Sequence, residues 1–98
     1  MTLSELIQND RPVLIDFYAV DCPPCLVLKK ELEKVKKQYP GDLLIVTADR
    51  KKHPEVFKAF GIHHLPAMLL MKKGKPLWQD FGLFSSEQII HRVNQKHQ

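Results

Sequence analysis

An almost unbroken apolar run, Val13-Leu14-Ile15-Asp16-Phe17-Tyr18-Ala19, leads within two residues into Asp21-Cys22-Pro23-Pro24-Cys25. A run of that length and composition suits a central strand covered on both faces. A helix follows it, so the two cysteines, the only ones in 98 residues, sit where a strand gives way to a helix. Two residues between the cysteines let the sulfurs reach disulfide distance across a single turn. The helix start adds free N–H groups and positive dipole charge, both of which favour a thiolate. A Cys-x-x-Cys beside a β-α-β pattern therefore reads as a thiol redox motif. A structural disulfide and two inert buried thiols are the competing readings. Closing so small a loop adds little stability, which weighs against the first.

Residues 1–98 are expected to form a single domain, long enough for one core and too short for two. Net charge is +4, but the lysine pairs 29–30, 36–37, 51–52 and 72–73 are interrupted by acids. That pattern is the solvated face of amphipathic helices rather than a nucleic-acid surface. The start, Met1-Thr2-Leu3-Ser4-Glu5, lacks the basic and long apolar regions of a signal peptide, and no stretch approaches the ~20 apolar residues of a membrane span. The expectation is a cytoplasmic monomer with no nucleic-acid or membrane partner.

Along the chain, residues 3–9 read as a short helix with Leu3, Leu6 and Ile7 as its apolar positions, stopped before Pro12. From Cys25 to about Tyr39, Leu28, Leu32, Val35 and Tyr39 fall on one helical face. Lys29, Lys30, Glu33, Lys36 and Lys37 point outward, with Glu33 and Lys37 as a favourable pair. Pro40-Gly41 ends this helix. Leu43 to Thr47 reads as a second buried strand, and Ala48 to Lys52 as a polar loop. Pro54 opens a short helix reaching Phe60, with Gly61 as its stop. Ala67 to Lys72 is a third strand, turned by Lys73-Gly74 into Pro76 to Phe81 as a hairpin. Ser85 with Gln88 has the capping-box pattern ahead of a helix that buries Ile89, Ile90 and Val93. The order α, β, α, β, α, β, β, α predicts an α/β fold whose first two long strands are parallel and whose last two are antiparallel.

Taken together, Leu14-Ile15-Asp16-Phe17-Tyr18-Ala19, Cys22-Pro23-Pro24-Cys25, Gly61-Ile62, Leu65-Pro66, Lys73-Gly74 and Gly82 resemble the thioredoxin family over nearly all of the chain from Arg11 onward. The resemblance implies a thioredoxin-like central mixed sheet of about four strands flanked by helices. The stretch before Arg11 is shorter than in typical members, so the edge strand that begins them is expected to be missing. It also implies a protein-disulfide reductase whose substrates are disulfide-containing proteins, whose electron donor is a reductase, and which needs no cofactor beyond its own Cys22–Cys25 pair.

Cys22 lies at the open end of the helix and is assigned as the attacking thiolate. Cys25, inside the first turn, is assigned as the resolving thiol. Asp16 is costly inside an apolar strand unless neutral or partnered, and burial raises its pKa toward a range where it trades protons with Cys25. The competing reading is a strand-end Asp bonded to backbone. Typical thioredoxins carry a lysine on the neighbouring strand near this acid, and the comparable position here is Ile45. The resemblance makes Pro66 a cis-proline facing the cysteines. Leu65 before it offers backbone groups to an extended substrate, and an aliphatic residue at that place goes with reducing members. Pro23, Pro24, His64 and Gly82 complete the expected substrate surface, with His63-His64 on its rim.

Several positions depart from the family pattern. Asp21 stands where a Trp is usual, and its charge is expected to oppose thiolate formation at Cys22 and to make the docking surface acidic. Pro23 replaces Gly and removes a donor near the sulfur. Both changes point to a more reducing pair. Tyr18 stands where Trp is common, and Lys30 where a helix-kinking proline is often found. The lone Trp78 is assigned to packing. Two other functions compete: a redox-dependent interaction module with little general reductase activity, and a metal-binding module using Cys22, Cys25 and His63 or His64. Structural zinc sites usually need four ligands, so the second is weak.

Overall fold

The computed structural model describes residues 4–5, 8–39 and 41–97, with side chains through 95. Its elements are β1 (Val13–Tyr18), α1 (Pro23–Gln38), β2 (Leu44–Asp49), α2 (Pro54–Ala59), β3 (Ala67–Lys72), β4 (Lys75–Phe81) and α3 (Ser86–His97). Ser4 and Glu5 are helical; Leu3, Leu6 and Ile7 of the expected first helix, like Pro40, lie outside the described residues. The four strands form one sheet in the order β2-β1-β3-β4. β1 is parallel to β2 and antiparallel to β3, and β3–β4 is an antiparallel hairpin, as the element order predicts.

The apolar run of β1 lies in the middle of this sheet because both of its faces are covered. Val13, Ile15 and Phe17 pack on one side with Phe57, Ile62 and Leu69. Leu14 packs on the other with Leu28, Leu32, Val35, Ile89 and Val93, the buried stripes of α1 and α3. The hairpin is closed by Lys73 and Gly74, both at positive φ (53° and 76°), the pair of left-handed residues that a two-residue turn needs to match strand twist. The capping box forms as expected: Gln88 N–H donates to Ser85 Oγ at 3.2 Å, and Ser85 N–H donates to Gln88 Oε1 at 2.9 Å.

Four local readings are corrected. Ala48 and Asp49 belong to β2, not to a loop: Ala48 is buried opposite Phe17, and Asp49 pairs with Tyr18. β2 is an edge strand with half-buried Leu44 to Val46 and an exposed Thr47, so its apolar run does not mean full burial. α1 begins two residues earlier, because Pro23 and Pro24 occupy its first turn, where a missing N–H costs nothing. Its ion pair joins Lys34 to Glu31 at 2.9 Å rather than Glu33 to Lys37. Glu31 also accepts from Ser86 N–H at 2.9 Å, tying α1 to the start of α3.

Candidate active site

Register brings the site together. Tyr18 at the end of β1 pairs with Asp49 at the end of β2, Phe17 with Ala67 at the start of β3, and Ala67 with Phe81 at the end of β4. The segments adjoining those residues therefore meet at one end of the sheet. They carry Asp21 and Cys22, Arg50, Leu65-Pro66 and Gly82, which are distant in sequence.

Cys22 and Cys25 are joined in a disulfide with their Cα atoms 5.3 Å apart. Cys22 is the N-cap of α1. The Cys25 N–H donates to both its Sγ (3.2 Å) and its carbonyl oxygen (3.0 Å). An N–H aimed at sulfur, the helix dipole behind it and the lack of any acid in the first turn of α1 favour negative charge on Cys22. Cys22 is half-buried whereas Cys25 is only 3% exposed, so an incoming disulfide meets Cys22 first.

Asp16 is 2% exposed, and its Oδ1 has no hydrogen-bond partner among the described residues. The alternative of a backbone-satisfied strand-end Asp gains no support from this oxygen. Burial pushes the carboxyl up to about 6, with the Lys29 ammonium pulling the other way. Asp16, Cys25 and Lys29 line one cleft of about 220 Å³ beneath the start of α1, together with Tyr18, Val20 and Leu26. A buried carboxyl and the buried Cys25 sulfur thus border the same cleft.

The Leu65–Pro66 peptide is cis, and Gly82 N–H donates to the Pro66 carbonyl at 2.8 Å, fixing this loop to the end of β4. His63 and His64 are exposed beside it, with the His64 ring 5.2 Å from that of Phe81. Asp21 is not a bare charge. Arg50 Nη2 lies 3.4 Å from its Oδ1, so the expected acidic docking surface is an exposed ion pair whose field at Cys22 is partly cancelled. Trp78 is in contact with Phe84 and the Arg92 guanidinium, 5.1 Å from the latter, in keeping with packing. Among the described residues, no three His, Cys, Asp or Glu side chains come together to hold a metal ion, and no helix is long and apolar enough to cross a membrane.

The thioredoxin family profile matches residues 2–95. The chain belongs to the thioredoxin family. It is 33% identical over 85 residues to thioredoxin of Alicyclobacillus acidocaldarius, covering 87% of this chain and 81% of that protein. It is 35% identical over 94 residues to the chloroplastic thioredoxin Y2 of Arabidopsis thaliana, covering 94% of this chain. The chain spans about half the length of the chloroplastic Y-type relatives, 56% of thioredoxin Y2 and 51% of thioredoxin Y1. Among solved structures, chloroplastic thioredoxin z superposes with a TM-score of 0.84 at 29% identity, covering 99% of this chain and 91% of that one. A thioredoxin from Halobacterium salinarum reaches 0.87 at 23% identity over 98% and 83%, a likeness of fold.

The fold brings Cys22, Cys25, Asp16, Pro66, Asp21, Pro23, Pro24, Leu65, His64 and Gly82 to the same end of the sheet or the cleft beneath it. Sequence reasoning missed Lys29, Arg50 and Phe81. Lys29 lies four residues after Cys25, one turn along the same helix face, and that spacing was the available signal. Arg50 was hidden by reading the end of β2 as loop.

Proposed function

We propose that this chain is a thiol–disulfide oxidoreductase that reduces protein disulfides in a reducing compartment, the cytoplasm. The observation that carries this reading is the pairing of a half-buried Cys22 at the N-cap of α1 with a buried Cys25 that shares a cleft with Asp16. In the reduced protein the Cys22 thiolate attacks one sulfur of a substrate disulfide. A Cys22–substrate bond forms and the first substrate thiolate leaves. The Cys25 thiol gives its proton to the Asp16 carboxylate, and the resulting thiolate attacks Cys22 Sγ. The Cys22–Cys25 disulfide forms and the second substrate thiolate leaves. Two thiols of this chain are oxidised and one substrate disulfide is reduced. A reductase returns the two electrons. No cofactor enters, because the cysteine pair holds the electrons.

The test is single-turnover reduction of a disulfide-containing protein such as insulin. Reduced wild type is expected to cleave it. Cys25→Ser is expected to stop at a mixed disulfide visible by intact mass, and Cys22→Ser to form none. Adducts through Cys25 rather than Cys22 would reverse the assignment. No cleavage by the wild type would favour an interaction module.

A further inference from the structure

Two clefts meet beneath α1. One contains Cys25 and opens toward Val20 and Leu26; the other runs along the helix past Leu32, Glu33, Lys36 and Ile45. Three residues border both: Asp16, Lys29 and Thr47. Thr47 is directly across from Asp16 in the β1–β2 register, and Ile45 is across from Leu14. Strand β2 therefore offers Asp16 only the Thr47 hydroxyl and the Ile45 hydrocarbon side chain. The cation near this acid comes from the helix instead.

We propose that Lys29 is a positioning residue for the exchange reaction: its ammonium, held one helical turn past Cys25, is the charge partner of the Asp16 carboxylate. This rests on the dithiol reading given above. Position supports it, since a residue at i+4 from Cys25 overhangs the same stretch of sheet. Burial supports it too, since an Asp16 oxygen with no hydrogen-bond partner depends on longer-range charge for whatever stabilisation its ionised form receives. The other charged or titratable groups around it are Lys36 and Glu33 of α1 on the far wall of the second cleft, Tyr18 of β1, and Cys25. β3 presents Met68, and β2 presents Thr47 and Ile45. Lys36 and Glu33 are of opposite sign, which leaves Lys29 as the cation bordering both spaces. As a proton acceptor Asp16 must be ionised, and a nearby cation keeps it so at lower pH.

The experiment is a carboxyl-carbon NMR titration of Asp16 in the oxidised protein, without substrate, in wild type and in Lys29→Gln, Lys29→Arg and Lys36→Gln. Lys29 is exposed, so these changes remove no buried contact. Lys29→Gln is expected to raise the midpoint by about half a pH unit, a screened fraction of what a close opposite charge does. Lys29→Arg is expected to restore it, and Lys36→Gln to leave it in place. The acid limb of the single-turnover reduction profile is expected to move upward with the Lys29→Gln midpoint. An unmoved midpoint in Lys29→Gln, an equal rise in Lys36→Gln, or a raised midpoint with an unchanged rate profile would each overturn the role. Wild type that reduces no disulfide would overturn the function itself, whatever the titration shows.

Discussion

Asp16 is held in a place that disfavours its charge, and that has a measurable cost in stability. Burial pushes its carboxyl up to about 6 in the folded chain, against 3.8 for a free aspartate. Between those pH values the folded state binds more protons than the unfolded state, so stability falls as pH rises through that window. Above about 6 the full penalty, about 3 kcal/mol, is in place; below 3.8 it vanishes. Asp16→Asn removes the ionisation and is expected to be more stable than wild type at pH 8 by about 1–3 kcal/mol, with the gap closing near pH 4. Urea unfolding of the oxidised proteins at both pH values checks this. A gap that does not change with pH would mean that packing, not charge, sets it. The Asp21–Arg50 pair makes a second prediction at this scale. Asp21→Asn leaves Arg50 facing Cys22 alone and is expected to lower the Cys22 pKa, whereas Arg50→Gln is expected to raise it. Thiolate absorbance at 240 nm reads both, and shifts of the same sign in the two variants would contradict the pairing.

Helix α1 does two jobs, and its sequence separates them by face. Its first turn places the sulfurs, and its Leu28, Leu32 and Val35 stripe anchors it to the sheet. Leu28→Ala is expected to cost about 2–5 kcal/mol in denaturant unfolding, the range for emptying a fully buried leucine site. Ser85→Ala, which removes one half of the α3 capping box, is expected to cost about 1 kcal/mol. The elements were legible because each rests on a local signal: the apolar run of β1, the i, i+4, i+7 stripe of α1, the Ser85–Gln88 pair and the Lys73-Gly74 turn. The end of β2 was not legible. Ala48-Asp49-Arg50 looks polar, and only pairing with Phe17 and Tyr18 and burial of Ala48 in the cluster of Phe17 and Phe57 make its first two residues strand. Lys29 was read as an outward-facing lysine for the same reason. A helical wheel shows which way a side chain leaves the helix, but not that Asp16 and Thr47, paired across the sheet, border a cleft beside it.

At the scale of the molecule, the crossover from β1 to β2 and the β3–β4 hairpin bring four distant segments to one end of the sheet, so the site is a product of register. The cysteines were found from their spacing alone, and the sulfur order follows from the helix start. The cis Leu65–Pro66 peptide was expected only through the family resemblance, since sequence alone leaves an X-Pro bond trans in most cases. Pro23 in the motif and Asp21 beside it both leave the Cys22 thiolate with less support than a Gly and a Trp would, and Arg50 cancels only part of that. The central claim, a reducing dithiol, is therefore tested most directly by equilibrating the Cys22–Cys25 pair in thiol–disulfide buffers and counting free thiols by alkylation. A midpoint at or below about −270 mV, the range of reducing dithiols, is the expected result. A midpoint near about −180 to −120 mV, the range of isomerases and oxidants, would contradict it.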